Sequence, residues 1–141
     1  MSLEIRQATS DDLVDIMRLF DGALLATDSD RIDDQLTGSR GCILVAEDTR
    51  PVGAIALWSG SVADRPSAYE QAVQITAVAV DSQRRRQGVG RRLIAAAGEW
   101  ASPQPLSATF DERVREFYAA CGFEIDDRES RLWAIRSARV D

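Results

Sequence analysis

Between Val78 and Leu93 the chain reads Val-Ala-Val-Asp-Ser-Gln-Arg-Arg-Arg-Gln-Gly-Val-Gly-Arg-Arg-Leu, an apolar strand end passing into two glycines and five arginines. From Arg84 to Arg92 there is no acid. Arginines in a first helical turn oppose the helix dipole at about 0.3–1 kcal/mol each, and a bound anion would offset that cost. Gly88 and Gly90 leave the backbone bare, so successive N–H groups at a helix N-terminus can point at phosphate oxygens. The competing reading is a solvated arginine-rich surface. Two named phosphate motifs are excluded: a Walker loop requires a lysine, which the chain lacks, and a dinucleotide fingerprint requires a third glycine where Leu93 stands.

Other chemistry is excluded by composition. All 17 basic residues are arginine, because the chain contains no Lys and no His. Without imidazole there is no Ser-His-Asp triad, no Cys-His pair and no histidine metal ligand, and no metal is implied. Cys42 and Cys121 stand apart in apolar context and read as reduced, buried thiols. The 23 acids set the net charge at -6, which argues against general attraction to nucleic acid or an anionic membrane.

The elements that must position this segment follow from periodicity. At 141 residues, 45% hydrophobic and 28% charged, the chain is expected to form one domain over residues 1–141. No apolar run approaches the ~20 residues of a membrane span, and the opening residues lack a signal-peptide core, so a soluble, cytoplasmic protein is expected. Leu3 to Gln7 read as a strand, and Thr9-Ser-Asp-Asp12 as a capping box before a helix with Leu13, Ile16, Met17 and Phe20 on one stripe. Asp28 to Gly38 read as a second helix with Ile32 and Leu36 inward. Cys42–Ala46 and Val52–Trp58 predict antiparallel strands joined by a hairpin of four or five residues, Glu47 to Pro51. Ser59 to Gln71 is a polar loop, and Val73 to Val80 an uncharged strand expected to be buried on both faces. A helix then opens near Gly88 with Val89, Leu93, Ala97 and Trp100 on its stripe, closed by Pro103 and Pro105. Leu106 to Phe110 is a strand, Asp111 a cap, and Val114, Phe117, Tyr118 and Cys121 the apolar face of a further helix; Phe123–Ile125 and Arg131–Ser137 are the last strands.

The segment resembles motif A of the GCN5-related N-acetyltransferases (GNAT), an acyl-CoA-dependent family with the signature [QR]-x-x-G-x-[GA] after its fourth strand. Arg85-Arg-Gln-Gly-Val-Gly90 fits that signature. Leu3–Thr9 is similar to the family's opening strand and cap, Ile43–Glu47 with Pro51–Ala54 to its second and third strands, and Phe117–Phe123 to its motif B. The resemblance implies an α/β fold of the GNAT-like acyl-CoA N-acyltransferase kind: six or seven mostly antiparallel strands, splayed between the fourth and fifth, with about four helices. It implies an enzyme moving acetyl from acetyl-CoA, its cosubstrate, to a primary amine of a small molecule, protein or peptide by direct transfer. The pantetheine arm would pair with backbone near Val78 and Val80, and the pyrophosphate would meet amides around Arg85, Arg86, Gln87, Gly88, Val89, Gly90 and Arg91. Tyr118 stands where many members have a tyrosine that protonates the departing thiolate, although its helical spacing equally suits a core residue. Asp111 stands where many members have Asn, so a hydrogen bond to the CoA arm would be as acceptor only.

A general base is less evident. The fourth strand offers Gln74 and Thr76 in place of the glutamate some members use, leaving Glu70 as the candidate, while Glu47 reads as turn chemistry. Asp21, Asp28, Asp30, Asp33, Asp34, Asp64, Glu70, Asp126, Asp127 and Glu129 fall in regions that form the family's acceptor pocket and would draw a cationic amine; they suit a solvated acidic surface equally well. Trp58 is either a pocket wall or a core residue. A homodimer is admitted and not required. The rival classes are a non-catalytic acyl-CoA-binding sensor, which the missing base favours, and an arginine-dependent nucleic-acid module, which the acidic net charge disfavours.

Overall fold

The computed structural model describes residues 3–22, 29–38, 40–60, 62, 65–84, 87–128 and 131–138. The chain runs β1 (Glu4–Gln7), α1 (Leu13–Gly22), α2 (Ser29–Thr37), β2 (Gly41–Asp48), β3 (Arg50–Trp58), β4 (Val73–Val80), α3 (Val89–Ala101), β5 (Leu106–Phe110), α4 (Arg115–Ala120), β6 (Glu124–Arg128) and β7 (Arg131–Arg136). The strands form one seven-stranded sheet in the order β1-β2-β3-β4-β5-β7-β6. Neighbours are antiparallel except β4 and β5, which are parallel. Among the described residues this is the mixed, mostly antiparallel sheet with four α-helices that the resemblance implies.

Helices cover both faces, which explains why β2 and β3 read as continuous apolar runs. On one face Ile16, Leu19 and Phe20 of α1 and Ile32 of α2 pack on Ile43, Val45, Ala54 and Ala56. On the other, Val89, Leu93, Ile94 and Ala97 of α3 pack on Leu44, Ile55, Leu57 and Leu106. Alternation along each strand sends successive side chains to opposite layers. Two stripes differ from expectation. Trp100 is 40% exposed and Ala101 takes the buried position, because the stripe of a straight helix drifts past a strict i+3/i+4 count. Val114 is 41% exposed because a 3-10 turn over Glu112–Val114 precedes α4 and rotates it off the helical face.

The β2–β3 hairpin is tighter than the expected four or five residues, since Asp48 already pairs with Arg50 and Thr49 alone turns the chain at φ 61. Glu47 is therefore strand, and its carboxylate receives Arg6 Nη2 at 3.0 Å. The same guanidinium meets both oxygens of Asp12 at 2.8 and 2.9 Å, and the Thr9 N–H donates to Asp12 Oδ2 at 2.8 Å. One arginine thus ties β1 and β2 to the turn that starts α1. β4 departs from its expected burial on both faces: its first half is buried, and Thr76, Ala77, Val78 and Val80 are half-exposed.

Hydrogen bonds from Arg6, ahead of the opposing effect of burial, hold the Asp12 carboxyl below its usual range. Stability from a lowered carboxylate is present above the unfolded value near 3.9 and is lost as pH falls through the folded value. Arg6→Gln is therefore expected to lower stability at neutral pH, with the gap to wild type narrowing below about pH 4. Urea titrations at stepped pH check this, and a gap that stays constant into acid contradicts it.

Candidate active site

The cleft begins where β4 and β5 separate. They pair only at Val73↔Leu106 and Gln74↔Ser107, after which β5 is committed to β7 along its whole length. The Ser107 hydroxyl donates to Gln74 Oε1, a buried polar pair that closes the root of the gap. Beyond it, β4 from Ile75 to Val80 keeps β3 on one side and faces open space on the other. The result is a cleft of about 980 Å³, walled by Ile75–Val80, the N-terminal turn of α3, the end of β5 and α4. A strand edge of this kind offers backbone N–H and C=O groups to any extended, amide-bearing ligand.

At one end of the gap lies the α3 N-terminus. Gly88 caps it in the left-handed region at φ 80 and ψ 7, and a Cβ there would meet nothing within 4 Å. The Arg92 N–H is the first of the helix to reach back, to the Gly88 carbonyl at 3.1 Å. The amides of Val89, Gly90 and Arg91 precede it and have no partner within the helix. Gly90 serves a different end from the one its spacing suggests. A Cβ there would stand 2.9 Å from Phe117 Cε1, so Gly90 admits a neighbouring ring rather than a ligand. Phe117, expected on the apolar face of its helix, both packs on Gly90 and lines the cleft.

The arginine run is more structural than its charge pattern implies. Arg84 Nη2 donates to Asp48 Oδ2 at 2.8 Å, Arg91 Nη2 to the Ala120 carbonyl at 3.0 Å and Arg92 Nη2 to the Leu3 carbonyl at 3.0 Å. These bonds tether the turn before α3 to β2, and α3 itself to α4 and the segment before β1. Arg85 and Arg86 lie outside the described residues. Electrostatically the lining still leans positive: Arg84, Arg91 and Arg113 against Asp111, in a protein of net charge -6. Arg91 donates to a neutral carbonyl, so its charge is not cancelled there.

Tyr118 stands in the opposite wall, 6% exposed. Its ring stacks on Phe110 at 4.2 Å and meets Phe117 and Phe123 edge-on, each at 5.2 Å. Burial, with a smaller effect from Cys121, pushes the phenol above its usual value near 10. It therefore stays protonated through the neutral range.

The other expected residues divide. Val78, Val80, Gly88, Val89, Gly90, Arg91 and Asp111 all line the cleft, Val89 with its side chain in the core. Gln87 is exposed in the turn before α3 and is not among the lining residues. Asp111 caps the turn before α4, accepting from the Arg113 N–H at 2.9 Å, and pairs with the Arg113 guanidinium at 2.8 Å. Glu70 is exposed in the turn before β4 and does not line the cleft; its carbonyl accepts from Arg65. Asp21, Asp34, Asp126 and Asp127 do not line it either, and Asp127 is paired with Arg115 at 3.1 Å. Asp28, Asp64 and Glu129 lie outside the described residues, as do the side chains of Asp30 and Asp33. Trp58 is buried with its indole under Gly60, away from the cleft. Sequence reasoning missed Thr76, Thr109, Arg113 and Val114 in the lining, because they come together only when β4 and β5 part.

The family model described as an acetyltransferase (GNAT) domain matches residues 39–125, more than half of the chain. A sequence search of curated proteins finds no match. Among solved structures the fold is similar to an N-acetyltransferase from Staphylococcus aureus Mu50, with 16% identity, TM-score 0.75, and coverage of 99% of this chain and 100% of that one. It is similar to a Bacillus anthracis protein provisionally described as a streptothricin acetyltransferase and solved with acetyl coenzyme A, with 19% identity, TM-score 0.71 and 96% of each chain covered. An aminoglycoside acetyltransferase from a soil metagenomic sample, solved with sisomicin, matches at 20% identity and TM-score 0.67, covering 90% of this chain and 91% of that one. With the β4–β5 gap and the glycine-capped helix in place, the match over residues 39–125 settles the assignment: the chain belongs to the GNAT family of acetyltransferases.

Proposed function

We propose that this protein transfers the acetyl group of acetyl-CoA directly to a primary amine of low basicity, on a small molecule or at a peptide end. One observation carries the reading: the open edge of β4 leads from the cleft interior to the Gly88-capped N-terminus of α3, whose first amides no capping side chain takes, under a positively leaning lining. Bound there, acetyl-CoA supplies an activated thioester carbonyl and a thiolate leaving group. The first-turn amides of Val89, Gly90 and Arg91 are suited to its pyrophosphate, and backbone at Val78 and Val80 to its pantetheine amides. In the motif, Arg85, Arg86 and Gln87 belong to the same binding segment.

Tyr118 is the proposed general acid. As the C–S bond breaks and the amine forms the new C–N bond, the phenol proton passes to sulfur, and the proton shed by the amine returns to the phenol through water. The raised phenol is matched by its surroundings, since a thiolate in the same apolar cleft is also desolvated and its ordinary value near 8.5 rises with it. With Glu70 outside the lining, no described carboxylate except the Arg113-paired Asp111 faces the cleft. This favours an acceptor that is partly neutral unaided. An α-amine near pKa 7.8 is neutral in about one molecule in seven at pH 7, against about 0.04% for a lysine-like amine near 10.4. The same lack of a base supports the second reading, a binding domain that senses acyl-CoA without turnover.

Calorimetry should show acetyl-CoA binding, and thiol release with an amine panel should separate enzyme from sensor; no release with any amine favours the sensor. Tyr118→Phe is expected to lower kcat by well over about tenfold with acetyl-CoA affinity nearly unchanged, and unaltered turnover would return Tyr118 to a packing role. Gly90→Val should displace Phe117 into the cleft and weaken acetyl-CoA binding by at least about tenfold, read by the same calorimetry. The rate should rise with pH along the titration of the acceptor amine, with no fall attributable to Tyr118 below about pH 10. A fall in the rate that Tyr118→Phe abolishes below that pH would contradict the assignment.

A further inference from the structure

On α2, Gln35 is 1% exposed, an amide set between apolar layers. Its Nε2 donates to the Leu57 carbonyl at 2.9 Å and to Thr76 Oγ1 at 3.0 Å, and Thr76 Oγ1 donates to the Ala56 carbonyl at 3.3 Å. The orientation of the amide follows from chemistry, because the Leu57 carbonyl can only accept and so must face the NH₂ end. That leaves Oε1 buried with no hydrogen-bond partner. A buried orphan acceptor weakens a fold, and the neighbouring inward positions of α2 are filled by Ile32 and Leu36, so apolar packing alone does not call for glutamine here.

These contacts converge on one irregularity. Ala56 pairs with Ala77 and the next residue, Leu57, with Ile75, so Thr76 is an extra residue in β4, a bulge. A bulge releases one residue from the ladder and re-aims the backbone that follows. Ile75 to Val80 all line the cleft, so the re-aimed backbone is the cleft wall itself. Gln35 bonds both sides of the bulge, the carbonyl of the partner strand and the hydroxyl of the extra residue, from a helix none of whose described side chains lines the cleft.

We propose that Gln35 is a positioning residue for acyl transfer: it holds the β4 bulge at Thr76 and thereby sets the aim of the Ala77 and Val78 backbone toward the acyl end of the cosubstrate. The inference rests on the acetyl-CoA reading above and adds to it a residue from the far layer of the sheet. Through Gln35, α2 and the cleft wall share one hydrogen-bond network, so the register of α2 and the geometry of β4 are set together.

Three variants test it. Gln35→Met keeps the volume and removes both donations, Thr76→Val removes the hydroxyl, and Thr76→Ser keeps it. Gln35→Met and Thr76→Val are expected to lower kcat by at least about tenfold while acetyl-CoA Kd stays within about threefold and Tm within about 3 °C, and Thr76→Ser should stay within about threefold of wild type. A readout free of any acceptor is the amide NMR spectrum at saturating acetyl-CoA. The ligand-induced shifts of Ala77 and Val78 should differ between wild type and Gln35→Met, while those of Val89 and Gly90 are retained. Wild-type turnover in Gln35→Met with unchanged Ala77 and Val78 shifts overturns the proposal, as does a loss of activity that only follows Tm. Should Gln35→Met not fold, the Thr76→Val and Thr76→Ser pair decides the matter by the same measurements. Absence of acetyl-CoA binding by the wild type would overturn the donor reading, and this inference with it.

Discussion

Everything in the cleft depends on β5 having only one partner for most of its length. Five of its residues pair with β7, from Leu106↔Arg136 to Phe110↔Leu132, whereas only Leu106 and Ser107 pair with β4. Two adjacent strands cannot diverge without leaving backbone donors and acceptors bare, and in a dry interior such groups are costly. The sheet accepts the divergence where the gap opens to solvent. It limits the gap with the buried Ser107–Gln74 hydrogen bond, which draws the last paired rung together. Both gap and clamp are needed: a fully paired sheet would have no cleft, and an unclamped one no defined floor to it.

The helices around the gap take their positions from close approach. α3 lies tight on β3 because Gly53 leaves room, where a Cβ would come 2.9 Å from Val89 Cγ1 and 3.1 Å from Leu93 Cδ1. Gly90 does the same for Phe117 of α4. The α3 N-terminus is thereby seated over the open edge of β4, and the aromatic group of Phe110, Phe117, Tyr118 and Phe123 is packed against the other wall. The Tyr118 ring is held on three sides by Phe110, Phe117 and Phe123, a packing that suits the role proposed for it.

Charge is distributed with similar economy. An acidic protein presents a positively leaning cleft because several arginine side chains next to the α3 N-terminus are anchored by groups outside the cleft. Asp48 anchors Arg84, and neutral carbonyls anchor Arg91 and Arg92, so those two keep their charge. Part of the mismatch between arginines and the helix dipole is thus compensated by structural hydrogen bonds, and the first amides of α3 are left without a partner inside the helix. The same preference for long-range tethers is visible at Arg6, which joins Asp12 and Glu47.

The strand and helix periods, the glycine pair and the order of the motifs were legible in the chain itself, because each is a local property: Val73–Val80, Leu106–Phe110 and the opening of α3 at Val89 fall where apolar spacing and glycine place them. Stripe edges such as Trp100 and Val114 were misread because burial at a stripe's edge depends on what the helix meets. The purpose of Gly90, the ties of the arginines, the distance of Glu70 from the cleft and the bulge at Thr76 are set by partners dozens of residues away, which no local pattern encodes. Composition and local spacing determined that a strand–turn–helix unit carrying a glycine pair and an arginine run would form, in a chain without imidazole or lysine chemistry. Only the tertiary structure decided that β4 would face open space with Tyr118 across from it and Gln35 behind it, because that depends on which strand β5 chose to pair with.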